Sequence, residues 1–390
     1  MHILITVNAA WNVWNFRRPI VAAMIADGHN VTVLAPYDDS VVALEGLGCK
    51  VLPLEMSVKG FNPLQDIKLI GRMRKVFRAQ KPDAIFSYTI KNNIFGALAA
   101  RSLGIPFIPN VTGLGTAFLS GGFLQRIAEG LYRRAFRNLG VIFFQNKDDR
   151  DLFLERRLAT AQQARLLPGS GIDLTHFAAT DYPSESDAPV FLMIARLLSH
   201  KGVIEYIEAA RKVRANNPHV RFQILGAVDA ANRTAIDASI VKSWHDEGVI
   251  EYLGTADDVR PHIALAHCVV LPSYREGVPR TLIEAAAMAR PLIATDVPGC
   301  RAVVDVGVTG YLCKVRDGSD LARSMDTFLA LTRTERVQMG LAGRVKMERT
   351  FDQTIVVEAY RNILTVAIST KASAGVRSAS ARALSGVDQA

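Results

Sequence analysis

The sequence predicts two doubly wound α/β domains. Three observations point there. Short β-branched runs alternate with longer amphipathic stretches along most of the chain. One polar, proline-bearing segment interrupts that alternation near its middle. And 390 residues are too many for one ordinary domain and suit two of average size.

In chain order, the first half offers strands at His2–Val7, Val31–Ala35, Lys50–Leu54, Ala84–Ser87, Phe107–Asn110, Val141–Phe144 and Arg165–Leu167. Helical patterns lie between them at Pro19–Asp27, Leu64–Gln80 and Phe123–Phe136. The second half offers strands at Val190–Ala195, Val220–Leu225, Ile250–Leu253, Cys268–Leu271 and Pro291–Ala294, with helices at Val203–Asn216, Arg233–Glu247 and Thr281–Ala289. Strands alternating with helices imply parallel sheets covered on both faces. The stretch Ala178–Pro189 has two prolines and no apolar periodicity and reads as a linker. The expected organisation is a first domain over 1–180, a linker over 181–189, a second domain over 190–350, a C-terminal helix over 351–370 that crosses back to the first domain, and a Ser/Ala/Gly-rich disordered tail over 371–390. Ligands of such sheets bind beyond the carboxyl ends of the strands, so two of them facing one another would enclose a cleft.

An apolar fraction of 49% is enough to build real cores and excludes a disordered chain. The four cysteines are scattered without a C-x-x-C pair and read as reduced thiols of a cytosolic protein, not as a disulfide or zinc framework. The opening run reads as a strand and not as an export signal, and no window reaches 18 uninterrupted apolar residues, so no transmembrane helix is expected. The formal charge of +9 is uneven: residues 1–178 carry 21 Lys/Arg against 13 Asp/Glu, the rest 25 against 24. A basic first half attracts anions, whether nucleic acid, anionic lipid or a phosphorylated substrate. No RNA-binding aromatic motif, zinc pattern or helix-turn-helix is present, which sets nucleic acid aside.

The densest chemistry follows the apolar strand Cys268–Leu271. In Ser273-Tyr274-Arg275-Glu276-Gly277-Val278-Pro279-Arg280-Thr281-Leu282-Ile283-Glu284, Gly277 permits close ligand approach and Pro279 suits the first helical position. The amides of Arg280, Thr281 and Leu282 would then open an anion site at a helix N-terminus. Glu276 lies before that terminus, and Glu284 roughly 7–8 Å along the axis beyond it. Upstream, the strand ending at Ile194 and Ala195 is followed by Arg196 and, five residues on, by Lys201, two cations at a strand end.

This Glu-x7-Glu segment, with Arg196 and Lys201, resembles the retaining glycosyltransferases of family 4, which have the GT-B fold: two Rossmann-like domains facing across a cleft. The resemblance implies that Glu276 contacts a donor sugar, that Glu284 contacts the nucleotide ribose, that Gly277, Val278, Pro279, Arg280, Thr281 and Leu282 supply the loop and amides around the diphosphate, and that Arg196 and Lys201 grip that diphosphate. The sequence departs from the family at Ala195, where glycine is usual, which leaves the charges untouched. Leu167-Pro168-Gly169-Ser170-Gly171-Ile172-Asp173, Pro298-Gly299 and Gly310-Tyr311-Leu312 extend the resemblance through structural glycines and prolines. It covers nearly the whole chain to about Ala367, and is stronger in the second half.

The first half is expected to hold the acceptor. Asn8, Asn15, Phe16 and Arg17 follow the first strand, where many relatives have a glycine-rich turn; amides suit sugar hydroxyls and Arg17 suits a phosphate. Trp11 and Trp14 read equally as sugar platforms or as loop anchors. Lys91 and Asn92 follow the fourth strand, and Thr112 and Gly113 the fifth, where relatives often carry a histidine; no catalytic histidine is nominated. Along Phe123–Arg137, apolar residues recur at helical spacing with Arg126, Arg133, Arg134 and Arg137 between them, either a core helix with a cationic solvent face or a helix against an anionic membrane.

The reading expected from all this is a retaining transferase moving a hexose or N-acetylhexosamine from a nucleotide-diphosphate sugar, UDP-linked, to a saccharide on a polyprenyl diphosphate, in bacterial capsule, O-antigen or glycoprotein glycan assembly. No metal or other cofactor is expected: no D-x-D-like motif stands at a strand end, and Arg196, Lys201 and helix amides would stabilise the leaving phosphate. The expected location is the cytoplasm, peripheral at the inner face of the membrane. A GT-B nucleotide-sugar epimerase and a non-catalytic nucleotide-sugar-binding protein are the alternatives.

Overall fold

The computed structural model describes residues 1–57, 62–114, 122–184, 188–228, 232 and 234–365. The expected tail at 371–390 lies outside them. The chain packs as two compact units. The first comprises Met1–Gln145, Asp149–Ser170 and the described residues from Thr354; the second comprises Asn146–Asp148 and Gly171–Gln353.

In the first unit, strands β1 (His2–Thr6), β2 (Asn30–Ala35), β3 (Lys50–Pro53), β4 (Ala84–Tyr88), β5 (Phe107–Val111), β6 (Ile142–Phe144) and β7 (Ala164–Leu166) form one sheet in the order β3-β2-β1-β4-β5-β6-β7. Every pairing is parallel. In the second, β8 (Val190–Ile194), β9 (Arg221–Leu225), β10 (Glu251–Tyr252), β11 (Cys268–Leu271), β12 (Leu292–Thr295) and β13 (Gly310–Cys313) run in the order β10-β9-β8-β11-β12-β13, again all parallel. Both are doubly wound Rossmann-like sheets. Their strand order reverses between β1 and β4 and between β8 and β11, where ligands of such sheets bind.

Parallel connections need crossovers, and helices supply them. They are α1 (Ala10–Phe16), α2 (Arg18–Ala26), α3 (Ser40–Gly46), α4 (Pro63–Gln80), α5 (Ile90–Arg101), α6 (Gly122–Phe136) and α7 (Lys147–Glu155), then α8 (Val203–Asn216), α9 (Ala238–Asp246), α10 (Arg260–Leu265), α11 (Arg280–Ala287), α12 (Pro298–Val303), α13 (Gly318–Leu329) and α14 (Arg333–Lys346). A five-residue π-helix, Met347–Phe351, continues α14, and a last helix, α15, occupies 353–365.

The period-2 alternation of strands sends side chains to opposite faces. Leu4, Leu34 and Ile85 join one core of the first sheet, while Ile3, Ile5, Val33 and Phe86 join the other. In the second sheet Met193, Ile224 and Val270 oppose Leu192, Leu225 and Val269 in the same way. Helix α15 belongs to the first unit. Val356, Tyr360 and Leu364, at i, i+4 and i+8, enter the core beside Phe86 and Phe143. The Tyr360 ring lies 4.6 Å from that of Phe86 and 5.0 Å from that of Phe143, and its hydroxyl accepts from Asn110 Nδ2 at 3.2 Å. All four cysteines are buried and unpaired.

Three elements differ from the sequence expectation. Residues 10–16 form a helix, not a loop; buried Ala10 and Val13 hold it although no side chain caps it. Gly310–Cys313, read as a glycine cue, is the edge strand β13. Helix α9 begins at Ala238, where the Asp237 side chain accepts from the Ser239 amide, not at 233.

Tyr360→Ala removes a fully buried ring from one core without touching any sheet hydrogen bond. Urea denaturation should show a loss of about 3–5 kcal/mol; an unchanged midpoint would mean that α15 does not dock in solution.

Candidate active site

At the carboxyl edge of the second sheet, β8 ends at Ile194 and the chain passes through Arg196 into one turn of 3-10 helix, Ser199–Lys201, before α8. Gly202, in the left-handed region at φ +77°, makes this turn; a Cβ there would lie 2.6 Å from the Pro272 carbonyl carbon. The Lys201 turn therefore rests directly on the backbone of the loop that follows β11. In that loop Lys201 Nζ donates to Glu276 Oε1 at 2.5 Å, with both side chains largely enclosed. A second contact runs beside it: the Tyr274 amide donates to the His200 carbonyl at 3.0 Å, and the Tyr274 hydroxyl to Glu205 Oε1 at 2.7 Å. The far side of the loop rests on α12, where a Cβ at Gly299 would lie 2.6 Å from the Glu276 carbonyl oxygen.

Helix α11 begins at Arg280 with Pro279 as its N-cap, one position earlier than expected for that proline. The Pro279 carbonyl accepts from the Leu282 and Ile283 amides at 3.2 and 3.3 Å. The expectation that Leu282 offers a free amide is thus corrected: its N–H is occupied and its side chain is in the core. Thr281 Oγ1 donates to the Ile194 carbonyl at 3.1 Å, tying the helix start to the end of β8. Glu284 Oε1 accepts from Arg280 Nε at 2.8 Å. Gly277 and Val278 are half-buried in the loop, and Arg196 is exposed at the strand end.

The result is a cationic rim. Burial lowers the His200 pKa first, and the Lys201 and Arg196 charges lower it further, opposed by Glu276. Preorganised cations at a helix N-terminus and a strand end can hold an anion, and the paired carboxylates can accept hydroxyl hydrogens. Among the described residues no group of three or more His, Cys, Asp or Glu gathers in a way that could hold a metal ion.

In the first unit, the loop and helix starts after β1, β4 and β5 carry the residues expected to meet an acceptor, and several are already engaged. Arg17 is only 3% exposed; its guanidinium lies 4.3 Å from the Tyr88 ring centroid and Nη1 donates to Ser170 Oγ at 3.0 Å, so the exposed phosphate fork expected of it is corrected to a buried packing cation. Lys91 Nζ is paired with the buried Asp66 carboxylate at 2.9 Å. Asn92 is fully buried, donating to Thr6 Oγ1 at 2.8 Å and accepting from Thr89 Oγ1 at 3.0 Å; its side chain positions the loop and cannot reach a ligand. Asn15, exposed on α1, donates to the Trp11 carbonyl, and Phe16 packs edge-on against Trp11. Trp11 is 52% exposed, so it is no core anchor, whereas Trp14 packs partly against the core. Thr112 and Gly113 are half-buried just past β5. Asn8 and, on α1, Asn12, which the sequence reading had not singled out, are half-buried, and the Oδ1 of each is enclosed without a hydrogen-bond partner among the described residues. The signal for Asn12 was its place in the polar segment that follows β1. Arg126, Arg133, Arg134 and Arg137 are all exposed on or just past α6.

If the Lys201 charge acts on its neighbours as this geometry requires, His200 titrates below the ordinary 6.5 and Lys201→Ala moves it upward. NMR titration of the His200 ring checks this; a pKa that the substitution leaves in place would remove Lys201 from the rim.

Residues 13–170 match the family model described as glycosyl transferase 4-like domain, and residues 188–330 match the model described as glycosyl transferases group 1. The N,N'-diacetylbacillosaminyl-diphospho-undecaprenol alpha-1,3-N-acetylgalactosaminyltransferase of Campylobacter jejuni is 27% identical over 377 residues, 92% of this chain and 97% of its own. The UDP-Gal:alpha-D-GlcNAc-diphosphoundecaprenol alpha-1,3-galactosyltransferase of Escherichia coli is 22% identical over 66% of this chain and 69% of its own. Among solved structures, Anabaena HepE in complex with UDP and glucose superposes with a TM-score of 0.74 at 18% identity, over 94% of this chain and all of that one. With its two parallel Rossmann-like sheets and both halves matched, the chain belongs to the group 1, family 4-like glycosyltransferases of GT-B fold.

Proposed function

We propose that this glycosyltransferase takes a hexose or N-acetylhexosamine from a UDP-sugar, with retention, and places it on a saccharide carried by a polyprenyl diphosphate in bacterial surface polysaccharide or glycan synthesis. The observation that carries the donor half is the Lys201–Glu276 contact at the point where the second sheet reverses its strand order. The acceptor half draws on the two undecaprenol-linked relatives.

Breaking the bond between sugar and diphosphate builds positive charge on the anomeric carbon and negative charge on the leaving phosphate. Arg196 and Lys201, with the start of α11 at Thr281, stabilise the phosphate. The Lys201 ammonium has three donors, so it can keep Glu276 and still meet a phosphate oxygen. Glu276 holds the donor sugar against the same cation, and Glu284 takes the ribose, leaving Arg280 or sharing it. Retention follows if the acceptor hydroxyl attacks the face the phosphate leaves and passes its proton to that phosphate. Asn8, Thr112 and Gly113 are the acceptor contacts this reading retains in the first unit, with Asn12 added. No helix among the described residues is long and apolar enough to cross a membrane, so a lipid-linked acceptor would be met at the membrane surface.

With UDP-sugars and a lipid-linked saccharide, Lys201→Ala and Glu276→Gln should each lower kcat/KM about 10²–10³-fold, the usual scale for one preorganised electrostatic group; full activity in either variant would overturn the site. Transfer should also persist in excess chelator. Its loss, with recovery on adding magnesium, would refute a cation-only mechanism.

A further inference from the structure

The first unit also carries a charged groove, at the opposite edge of its sheet from the loops that follow β1 and β5. This groove of about 1020 Å³ is lined by Arg101, Arg133, Arg134, Arg137 and Arg157 and, among the described residues, by no carboxylate. Three different segments supply these cations: the last residue of α5, the end of α6 with the residue after it, and the turn that follows α7. The sequence showed three of them on one helix; the fold adds Arg101 and Arg157 and leaves Arg126 outside.

The groove lies at the amino edge of the sheet. Arg137 and Leu139 lead into β6, and Ala159 and Gln163 lead into β7, whereas Asn8 and Thr112 leave from the carboxyl ends of β1 and β5. A five-residue strand separates the two edges by about 16 Å. The groove is therefore not part of the acceptor positions proposed above for this unit.

A helix C-terminus commonly attracts one or two cations to its exposed carbonyls. That does not account for this cluster. Arg101 Nη2 already donates to the Ala135 and Arg137 carbonyls at 2.7 Å each, so the end of α6 is covered. Glu129, on the same helix, is engaged by Arg156 and is not among the lining residues. Arg133, Arg134, Arg137 and Arg157 remain exposed around the groove. Their crowding shows in Arg101, whose pKa is lowered by burial first and then by repulsion from Arg134 and Arg137. Leu139 and Leu158 add apolar wall beside the charges. Converging guanidinium groups with adjacent apolar wall suit a phosphate that carries a greasy substituent.

We propose that this groove binds the phosphate headgroup of an anionic phospholipid and so holds the first unit against a membrane surface. This deepens, and rests on, the membrane-surface part of the function proposed above, but its test involves no transfer reaction, so either can fail without the other.

The test is cosedimentation of the full chain with vesicles of phosphatidylglycerol in phosphatidylcholine, against phosphatidylcholine alone, at 0.1 M salt. Binding should require phosphatidylglycerol. Arg134→Gln/Arg137→Gln should weaken it roughly 30-fold, Arg134→Lys/Arg137→Lys should keep most of it, and Arg211→Gln/Arg323→Gln, an equal loss of charge in the second unit, should change it little. Should the first double variant melt early, Arg134→Gln alone should still show roughly a fivefold loss. Equal binding to neutral vesicles, unchanged binding by the groove variants, or an equal loss in the second-unit control would overturn the proposal. So would micromolar binding of inorganic pyrophosphate in calorimetry without recruitment to phosphatidylglycerol vesicles, which would make the groove a site for a soluble phosphate.

Discussion

Backbone lying directly on backbone at the carboxyl edge of the second sheet is the constraint on which the candidate active site depends. Gly202 lets the Lys201 turn rest on Pro272, and Gly299 lets the first turn of α12 rest under Glu276 and Gly277. With a side chain at either position the backbone around the loop after β11 would have to shift, and the 2.5 Å contact between Lys201 and Glu276 is made from that loop. Tyr274 and Thr281 fasten the same loop on its two flanks, one to His200 and Glu205, the other to the end of β8. The charges are therefore placed before any ligand arrives, which is the condition for electrostatic stabilisation without reorganisation at the moment of reaction.

The first unit solves a different problem. Under its carboxyl edge lies a floor of buried polar side chains: Thr6, Asn92, Asn93, Asn110 and Arg17, with Tyr88 and Tyr360. Asn92 holds Thr6, Asn93 Nδ2 donates to the Asn110 carbonyl at 2.8 Å, and Asn110 reaches Tyr360 on α15. These bonds tie β1, β5, α5 and α15 together, while Asn93 Oδ1 and Asn110 Oδ1 are enclosed without a hydrogen-bond partner among the described residues. The chain returns from the second unit to supply Tyr360, so its last described helix completes the floor beneath the positions proposed for the acceptor.

Much of this was legible in the sequence. Alternation located twelve of the thirteen strands among the described residues, because most of them are buried on both faces and are therefore largely apolar. Glu276 stood out through its strand, its glycine and its proline. What sequence could not show was which polar side chains were already claimed. Lys91 finds Asp66, 25 residues away, and Arg17 finds Ser170, 153 residues away. Position at a strand end marks a residue as near a site; only the fold shows whether a buried partner holds it. The strand β13 escaped for a related reason: Gly310 is there because β12 runs against it, a Cβ there clashing with the Leu292 backbone, and four residues led by glycine carry little strand signal. Arg101 and Arg157 escaped because their neighbours on the first unit are distant in the chain.

The most direct measurement is a crystal structure of the full chain with UDP bound. A diphosphate seated between Arg196, Lys201 and the first turn of α11, with the ribose at Glu284, is the expected result. A diphosphate bound away from Lys201 and Thr281 would contradict the assignment of this edge as the donor site.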